Sequence, residues 1–228
     1  MNVMTNEAVI RMEEGAEGTY LLIDPASRLE DILAFPEIPD LLGDSLKRWT
    51  TWHERMTLSI REALSTPAKA APFVAALLAC GARVGLEEGT VEVEDFLGRS
   101  GRSRLDVYSI QLPVRSEREA GMAAVCPTPT DAPIVAAFAC VTYDGDIVKS
   151  ARLALTGVWR KAVQLADAAE KLAGTSLSDD VIHAVAEAVE DEVKPRGNFI
   201  GSAGYRRSMA GVTTRRALAE CKKGVKRS

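Results

Sequence analysis

Two histidines, four cysteines and two acidic clusters are the places where this chain could do chemistry, and their spacing restricts what that chemistry is. His53 stands between Trp52 and Glu54, a setting for proton transfer near neutral pH, yet a lone histidine among such neighbours is ordinarily part of a packed or half-exposed helix face. His183 falls among Asp179, Asp180 and Glu187, opposite the apolar stripe of its helix, and reads as a solvent-side residue. Neither has a serine or cysteine at nucleophile spacing. Cys80, Cys126, Cys140 and Cys221 are far apart with no Cys-x-x-Cys pair, so neighbouring ligands for zinc or an iron–sulfur cluster are missing. Reduced, mostly buried thiols are expected instead. Asp144 and Asp146 flank Gly145 in a loop too short for an EF-hand, so a hairpin turn is the reading there. Glu187, Glu190, Asp191 and Glu192 gather at a helix end, where a solvated face is a commoner cause than acid–base work. No catalytic residue and no metal ligand is assigned from these patterns.

Composition sets wider limits. A chain of 228 residues with 46% hydrophobic and 26% charged residues can bury one large core or two small ones. The net charge is −4, and the cations are scattered apart from Lys222, Lys223, Lys226 and Arg227, so nucleic-acid binding is not expected. The apolar runs Ala70 to Cys80 and Ala132 to Val141 are too short to span a bilayer, and the acidic N-terminus has no secretory pattern. A cytoplasmic protein without a membrane segment is expected.

The elements that must position these groups follow from periodicity and caps. Little pattern precedes Tyr20-Leu21-Leu22-Ile23, a short strand ended by Asp24-Pro25. Ser27 and Glu30 fit a capping box for a helix stopped by Pro36, and a second helix spans Ile38 to about Trp49. Met56, Ile60 and Leu64 continue the Trp49/Trp52 spacing and predict one further helix face. Phe73 to Leu78 predicts a buried helix ending at Gly81, and Arg83 to Leu86 with Thr90 to Val93 predicts a hairpin. Gly98 to Arg104 reads as a loop between domains, and Tyr108 to Val114 resumes as a strand. Ile134 to Tyr143 and Ile147 to Leu155 flank Asp144-Gly145, which suits a type I′ turn. Arg160 to Ala173 carries a helical stripe of Ala162, Val163, Ala166, Ala169 and Leu172. Ser178 can cap the next helix, with a Leu177/Ile182 staple and a buried face of Ile182, Val185, Val189 and Val193 before Pro195. Ser202 can cap a last helix through Cys221, with Tyr205, Met209 and Val212 inward.

Read in order, Tyr143-Asp144-Gly145-Asp146, Ala151-Arg152-Leu153, Ala169-Glu170-Lys171-Leu172-Ala173-Gly174 and Gly201-Ser202-Ala203-Gly204-Tyr205-Arg206-Arg207 resemble the C-terminal domain of the FAD-carrying medium subunit of molybdenum hydroxylases, the group of carbon monoxide and xanthine dehydrogenases. Residues 29 to 47 and Ala71 to Phe96 resemble two stretches of that subunit's FAD-binding domain. The family holds FAD between two lobes, with two Gly-Gly loops bringing backbone N–H groups against the diphosphate. This chain contains no Gly-Gly pair. Gly18-Thr19 stands as a remnant of the first loop, with Glu17 where a glycine is expected, and a carboxylate there repels a diphosphate. The span Arg61 to Ala70, where the second loop belongs, has no glycine. The first lobe is expected to be missing, since only about twenty unpatterned residues precede Tyr20.

The fold is therefore expected to be α+β: residues 1–104 as a reduced remnant of the FAD domain, and residues 105–228 as a C-terminal domain with a three-stranded antiparallel sheet under a three-helix layer. The resemblance implies a medium-subunit-like component of a molybdenum hydroxylase assembly, docking a molybdopterin-binding large subunit and a small subunit with 2Fe–2S clusters. No cofactor is expected in this chain, and it is not expected to be catalytic alone. One alternative is an electron-transfer flavoprotein subunit whose FAD site is rearranged; another is a free-standing homodimer binding a small ligand in the cleft between its two parts. Trp49 and Trp52 are candidate partner contacts, since large aromatics anchor interfaces. Arg206 and Arg207 suit surface ion pairing, a partner contact or a phosphate.

Overall fold

Strand β7 (Val135–Asp144) explains the architecture, because both of its faces are apolar. Side chains alternate along a strand: Ala136, Phe138 and Cys140 enter one core, while Val135, Ala137, Ala139, Val141 and Tyr143 enter another. A strand of that composition must be covered on both sides. The computed structural model describes residues 9–15, 18–101, 106–114, 117–128 and 131–222. In it β7 lies inside an antiparallel sheet of order β6-β7-β8-β9, with β6 at Arg118–Val125, β8 at Ile147–Thr156 and β9 at Val163–Leu165.

One face of that sheet is covered by the first half of the chain. There β1 (Ile10–Gly15), β2 (Gly18–Ile23), β3 (Arg83–Leu86), β4 (Gly89–Glu92) and β5 (Ser109–Pro113) form a second antiparallel sheet of order β1-β2-β5-β3-β4. Helices α1 (Leu29–Ala34), α2 (Asp40–Trp49), α3 (Trp52–Thr57), α4 (Ile60–Ser65), α5 (Ala71–Ala79) and α6 (Val93–Gly98) pack around it. Every residue of α5 from Pro72 to Ala79 is buried, because α5 is wedged between β7, β8 and β9 of the C-terminal sheet and helices α2, α4 and α6. The other face of β6-β7-β8-β9 carries α7 (Asp179–Glu192) and α8 (Ala203–Glu220).

The α+β expectation holds, with differences that have physical causes. A strand, β1, precedes Tyr20 and closes a hairpin with β2. Ser27 does not cap α1: Arg28 occupies that position, and the Asp31 carboxylate accepts its N–H at 2.9 Å. The expected helix face from Trp52 to Leu64 is cut at Leu58-Ser59, where the chain pairs with Ser27 and Leu29 and starts again under a Ser59/Glu62 capping box. The C-terminal sheet has a fourth short strand, β9, within the stretch read as a helix; the rest of that stretch is a 3-10 turn over Asp167–Leu172. The helical layer is accordingly α7, α8 and this turn.

The hairpin between β7 and β8 forms as expected, though its central residues are Gly145 and Asp146, and of these only Gly145 has positive φ (+59°), so the turn is not type I′. In α8 Met209 packs against the core as expected and Leu218 is buried, but most other inward residues are small or polar, among them Ala210, Gly211, Thr213, Thr214 and Ala217, while Tyr205 is 40% exposed. Close approach dictates this: a Cβ on Gly121 of β6 would stand 2.2 Å from Ala217 O, and one on Gly211 would stand 2.0 Å from Glu190 Oε1. The expected division at 104/105 falls outside the described residues, and β5 beyond it pairs within the first sheet. Of the basic tail, Lys223, Lys226 and Arg227 also lie outside them. No described helix is long and apolar enough to cross a membrane.

Candidate functional site

Gly18 and Thr19 open β2 at the turn end of the β1–β2 hairpin, with Gly18 opposite Gly15 and Thr19 opposite Glu14. Their neighbours are carboxylates. Thr19 Oγ1 donates to Glu14 Oε1 at 2.8 Å, and Tyr20 OH donates to Glu13 Oε2 at 2.8 Å. The Tyr20 phenol, with help from Arg11, holds the Glu13 carboxyl below its ordinary range. Glu17 lies outside the described residues, and the described part of the remnant is acidic.

The span Arg61 to Ala70 is closed. It folds as α4 and a 3-10 turn over Pro67–Lys69, so most of its backbone donors are spent inside the chain. Arg61 N–H goes to Pro25 O, Glu62 N–H to Ser59 Oγ, Ala63 N–H to Ser59 O and Thr66 N–H to Glu62 O. Lys69 and Ala70 donate to Thr66 O and Pro67 O. Just upstream, Leu58, Ser59 and Ile60 donate to Glu54 O, Glu62 Oε2 and Ser27 O.

The two tryptophans of the candidate contact separate. Trp49 turns inward from the end of α2 and meets Phe138 of β7 edge to face, centroids 5.7 Å apart. Trp52 opens α3 and is 63% exposed, with Met56 one turn further on also exposed. The two arginines separate likewise. Arg206 is buried and donates to four chain atoms: Ile134 O (2.7 Å), Gly157 O (2.9 Å), Asn198 Oδ1 (3.0 Å) and Gly201 O (3.4 Å). It is an internal clamp on the turn before α8, and the surface ion pair expected for it is replaced by carbonyl acceptors. Arg207 is exposed.

His53 is exposed on α3, and His183 lies 3.3 Å from Glu187 one turn along α7, also exposed. The acidic end of α7 is more than a solvated face: both oxygens of Glu192 accept backbone N–H groups, from Asp167 at 3.0 Å and Ala168 at 2.9 Å. Among the described residues no cluster of metal-ligating side chains occurs.

What sequence reading missed is the lining of the cleft of about 270 Å³ between the two halves, which includes Arg83, Glu92, Arg118, Thr142, Ser150 and Arg152. Arg118 and Arg152 reach across it to the C-terminal carbonyls of α5: Arg118 Nη1 donates to Cys80 O at 2.8 Å, and Arg152 Nε to Leu78 O at 3.0 Å. Those carbonyls are the negative end of the helix, where cations are favoured. Arg152 Nη2 also donates to Glu92 Oε2 at 2.6 Å. Below the cleft Cys80 Sγ and Cys140 Sγ lie 3.6 Å apart, and their contact together with burial pushes the Cys140 thiol well up. The three arginines sit on three different strands, so no local spacing betrays them.

Compared with known proteins, residues 128–221 match the family model of the CO dehydrogenase flavoprotein C-terminal domain. No curated protein matches by sequence. Among solved structures, a chain of carbon monoxide dehydrogenase from Hydrogenophaga pseudoflava superposes with a TM-score of 0.80 at 22% identity, covering 94% of this chain and 77% of that one. A chain of the reconstituted CO dehydrogenase from Oligotropha carboxidovorans gives 0.78 at 20% identity, covering 95% and 79%. Quinoline 2-oxidoreductase from Pseudomonas putida 86 gives 0.76 at 18% identity, covering 94% and 78%. The resemblance read from the sequence is borne out: the C-terminal domain matches by family model, and the fold likeness extends through the first half.

Proposed function

From this likeness to the flavoprotein subunits of molybdenum hydroxylases, we propose that the chain is a medium-subunit-like component whose role is docking and scaffolding, with FAD binding lost. The observation that carries the reading is the consumption of backbone N–H groups from Leu58 to Ala63, with Thr66, Lys69 and Ala70 spent in the same way. A flavin diphosphate is held by N–H groups left free to point at its oxygens. Most donors at this span are committed to the chain's own carbonyls and side chains, and at the other loop position Glu13 and Glu14 stand where a diphosphate would need positive potential. The residues present do not fit the group.

The partners this reading implies are a molybdopterin-binding subunit and one carrying 2Fe–2S clusters, with the exposed Trp52/Met56 face of α3 as the contact. Affinity purification of the tagged chain from its native host tests it. Co-elution of molybdenum- and iron-bearing subunits with a flavin-free chain is expected; a lone homodimer, or a chain that elutes yellow with FAD, contradicts it.

A further inference from the structure

Two buried thiols from different halves of the chain touch at the foot of the cleft. Cys80 ends α5 and Cys140 lies in the middle of β7, 60 residues away, and their Sγ atoms are 3.6 Å apart. Cys140 lines the cleft of about 270 Å³, and Cys80 lies behind it. A molecule of a few atoms therefore reaches the Cys140 sulfur where a bulky reagent does not. The pairing is specific. Alternation along β7 turns Cys140 toward α5, whereas Cys221 packs on the opposite face of the strand against Ala139 O and Ala217 O. Cys126 follows the far end of β6, past the Val125/Val135 pair. A disulfide needs its sulfurs about 2.0 Å apart, so the pair must close by about 1.5 Å. Cys140 is held by ladders on both sides, to Ala120 and to Arg152. Cys80 caps a helix end and precedes Gly81, so the approach falls on Cys80.

We propose that Cys80 and Cys140 form an oxidisable pair, which a small peroxide entering through the cleft converts to a disulfide joining the two halves. The Cys140 sulfur attacks one peroxide oxygen; the O–O bond breaks, and the departing hydroxide takes the thiol proton to become water, leaving a sulfenic acid. The Cys80 sulfur then attacks the sulfenic sulfur. The S–S bond forms as the S–O bond breaks, and the hydroxyl leaves with the Cys80 proton as a second water. Two thiols lose two electrons in all, and one peroxide becomes two waters. The Cys80 contact and burial hold the Cys140 thiol protonated against the pull of Arg118, so the first step is slow. The product is a lasting tie: closing so long a ring restricts the unfolded chain and stabilises the folded one. This pair is separate from the docking face on α3 and stands or falls independently of it.

Peptide mapping of the full-length Cys126→Ser chain, reduced and then exposed to hydrogen peroxide, tests the proposal. The substitution separates the assignments, because Cys126 and Cys140 otherwise share one tryptic peptide. After unfolding and alkylation, the peptide carrying Cys80 is expected joined to the one carrying Cys140 within a single chain. The thermal midpoint of the oxidised chain should rise by roughly 5–10 °C and return on reduction with dithiothreitol. The bulkier cumene hydroperoxide should form the link roughly tenfold more slowly, since access limits the rate; equal rates overturn entry through the cleft. Cys140→Ala should abolish both the link and the rise, and if it fails to fold, Cys80→Ala takes its place, while the map itself depends on neither. Recovery of Cys80 and Cys140 as alkylated thiols after prolonged exposure overturns the proposal, as does a link to Cys221 or one formed only between chains.

Discussion

Trp49 of α2 meets Phe138 of β7 edge to face, with ring planes at 83°, so the first half of the chain is keyed into the central strand of the second. Such pairs add to the area they bury. Trp49→Ala should cost about 2–4 kcal/mol in urea unfolding, and a double-mutant cycle with Phe138→Leu should reveal coupling. Trp52→Ala should shift the isolated chain by no more than about 0.5 kcal/mol while weakening recovery of partner subunits. Equal effects of the two substitutions on stability would contradict this division of roles.

Arg206 holds the turn at Asn198–Gly201 and the backbone at Ile134 and Gly157 in one grip. Arg206→Gln strands those carbonyls and should cost about 2–4 kcal/mol. Arg206→Lys should recover little, since an ammonium cannot reproduce the fork. Denaturant midpoints of the three proteins provide the comparison, and a near-neutral Arg206→Gln would sink the clamp.

Gly121→Ala forces a methyl against Ala217 O of α8 and should destabilise by about 1–3 kcal/mol. Gly204→Ala, in the first turn of α8 with nothing within 4 Å, should instead stabilise by up to about 1 kcal/mol. Opposite signs in thermal unfolding are the expected result.

These contacts mark the limit of what the residues reveal locally. The β7–β8 hairpin, α5 and α7 were legible because Asp144-Gly145, the run Phe73 to Leu78, and Ser178 with its apolar stripe are local signals. Arg160 to Ala173 misled because alanines satisfy a helical stripe and a strand edge alike, and the choice was made by pairing with Ala154 to Thr156 of β8. On α8 Met209 packs as its type suggests, but Tyr205 does not, and the buried Gly211, Thr213 and Thr214 were not legible because close approach, which hydrophobicity does not mark, selects residues such as Gly211. The arginine cleft left no trace in spacing, since its walls meet only when both sheets are built.

Tyr143 donates its hydroxyl to Cys221 O at 2.9 Å, and burial, with Cys221 and Glu119 adding to it, pushes its phenol up to about 12. The fold therefore favours the neutral form. Its contribution is whole below the ordinary phenol value of about 10 and is lost as pH rises through about 12. Tyrosinate absorbance should show a phenol titrating near 12 that vanishes in Tyr143→Phe, and the variant's stability should fall less steeply above pH 10. A Tyr143→Phe titration curve identical in shape to the parent's would refute this.

Thiol reactivity should divide the cysteines. Cys80, Cys140 and Cys221 are buried and Cys126 is half-exposed, and thiols shut away from solvent react slowly. A chromogenic disulfide reagent should label Cys126 first in the native chain and all four after unfolding. Fast native labelling of Cys140 would contradict the packing between the halves.

The docking role is tested most directly by the flavin content of the chain purified in complex from its host. The account predicts molybdenum and iron in the complex with no FAD attached to this polypeptide, and no FAD uptake when the isolated chain is incubated with it. Stoichiometric FAD released from this chain on denaturation would contradict it.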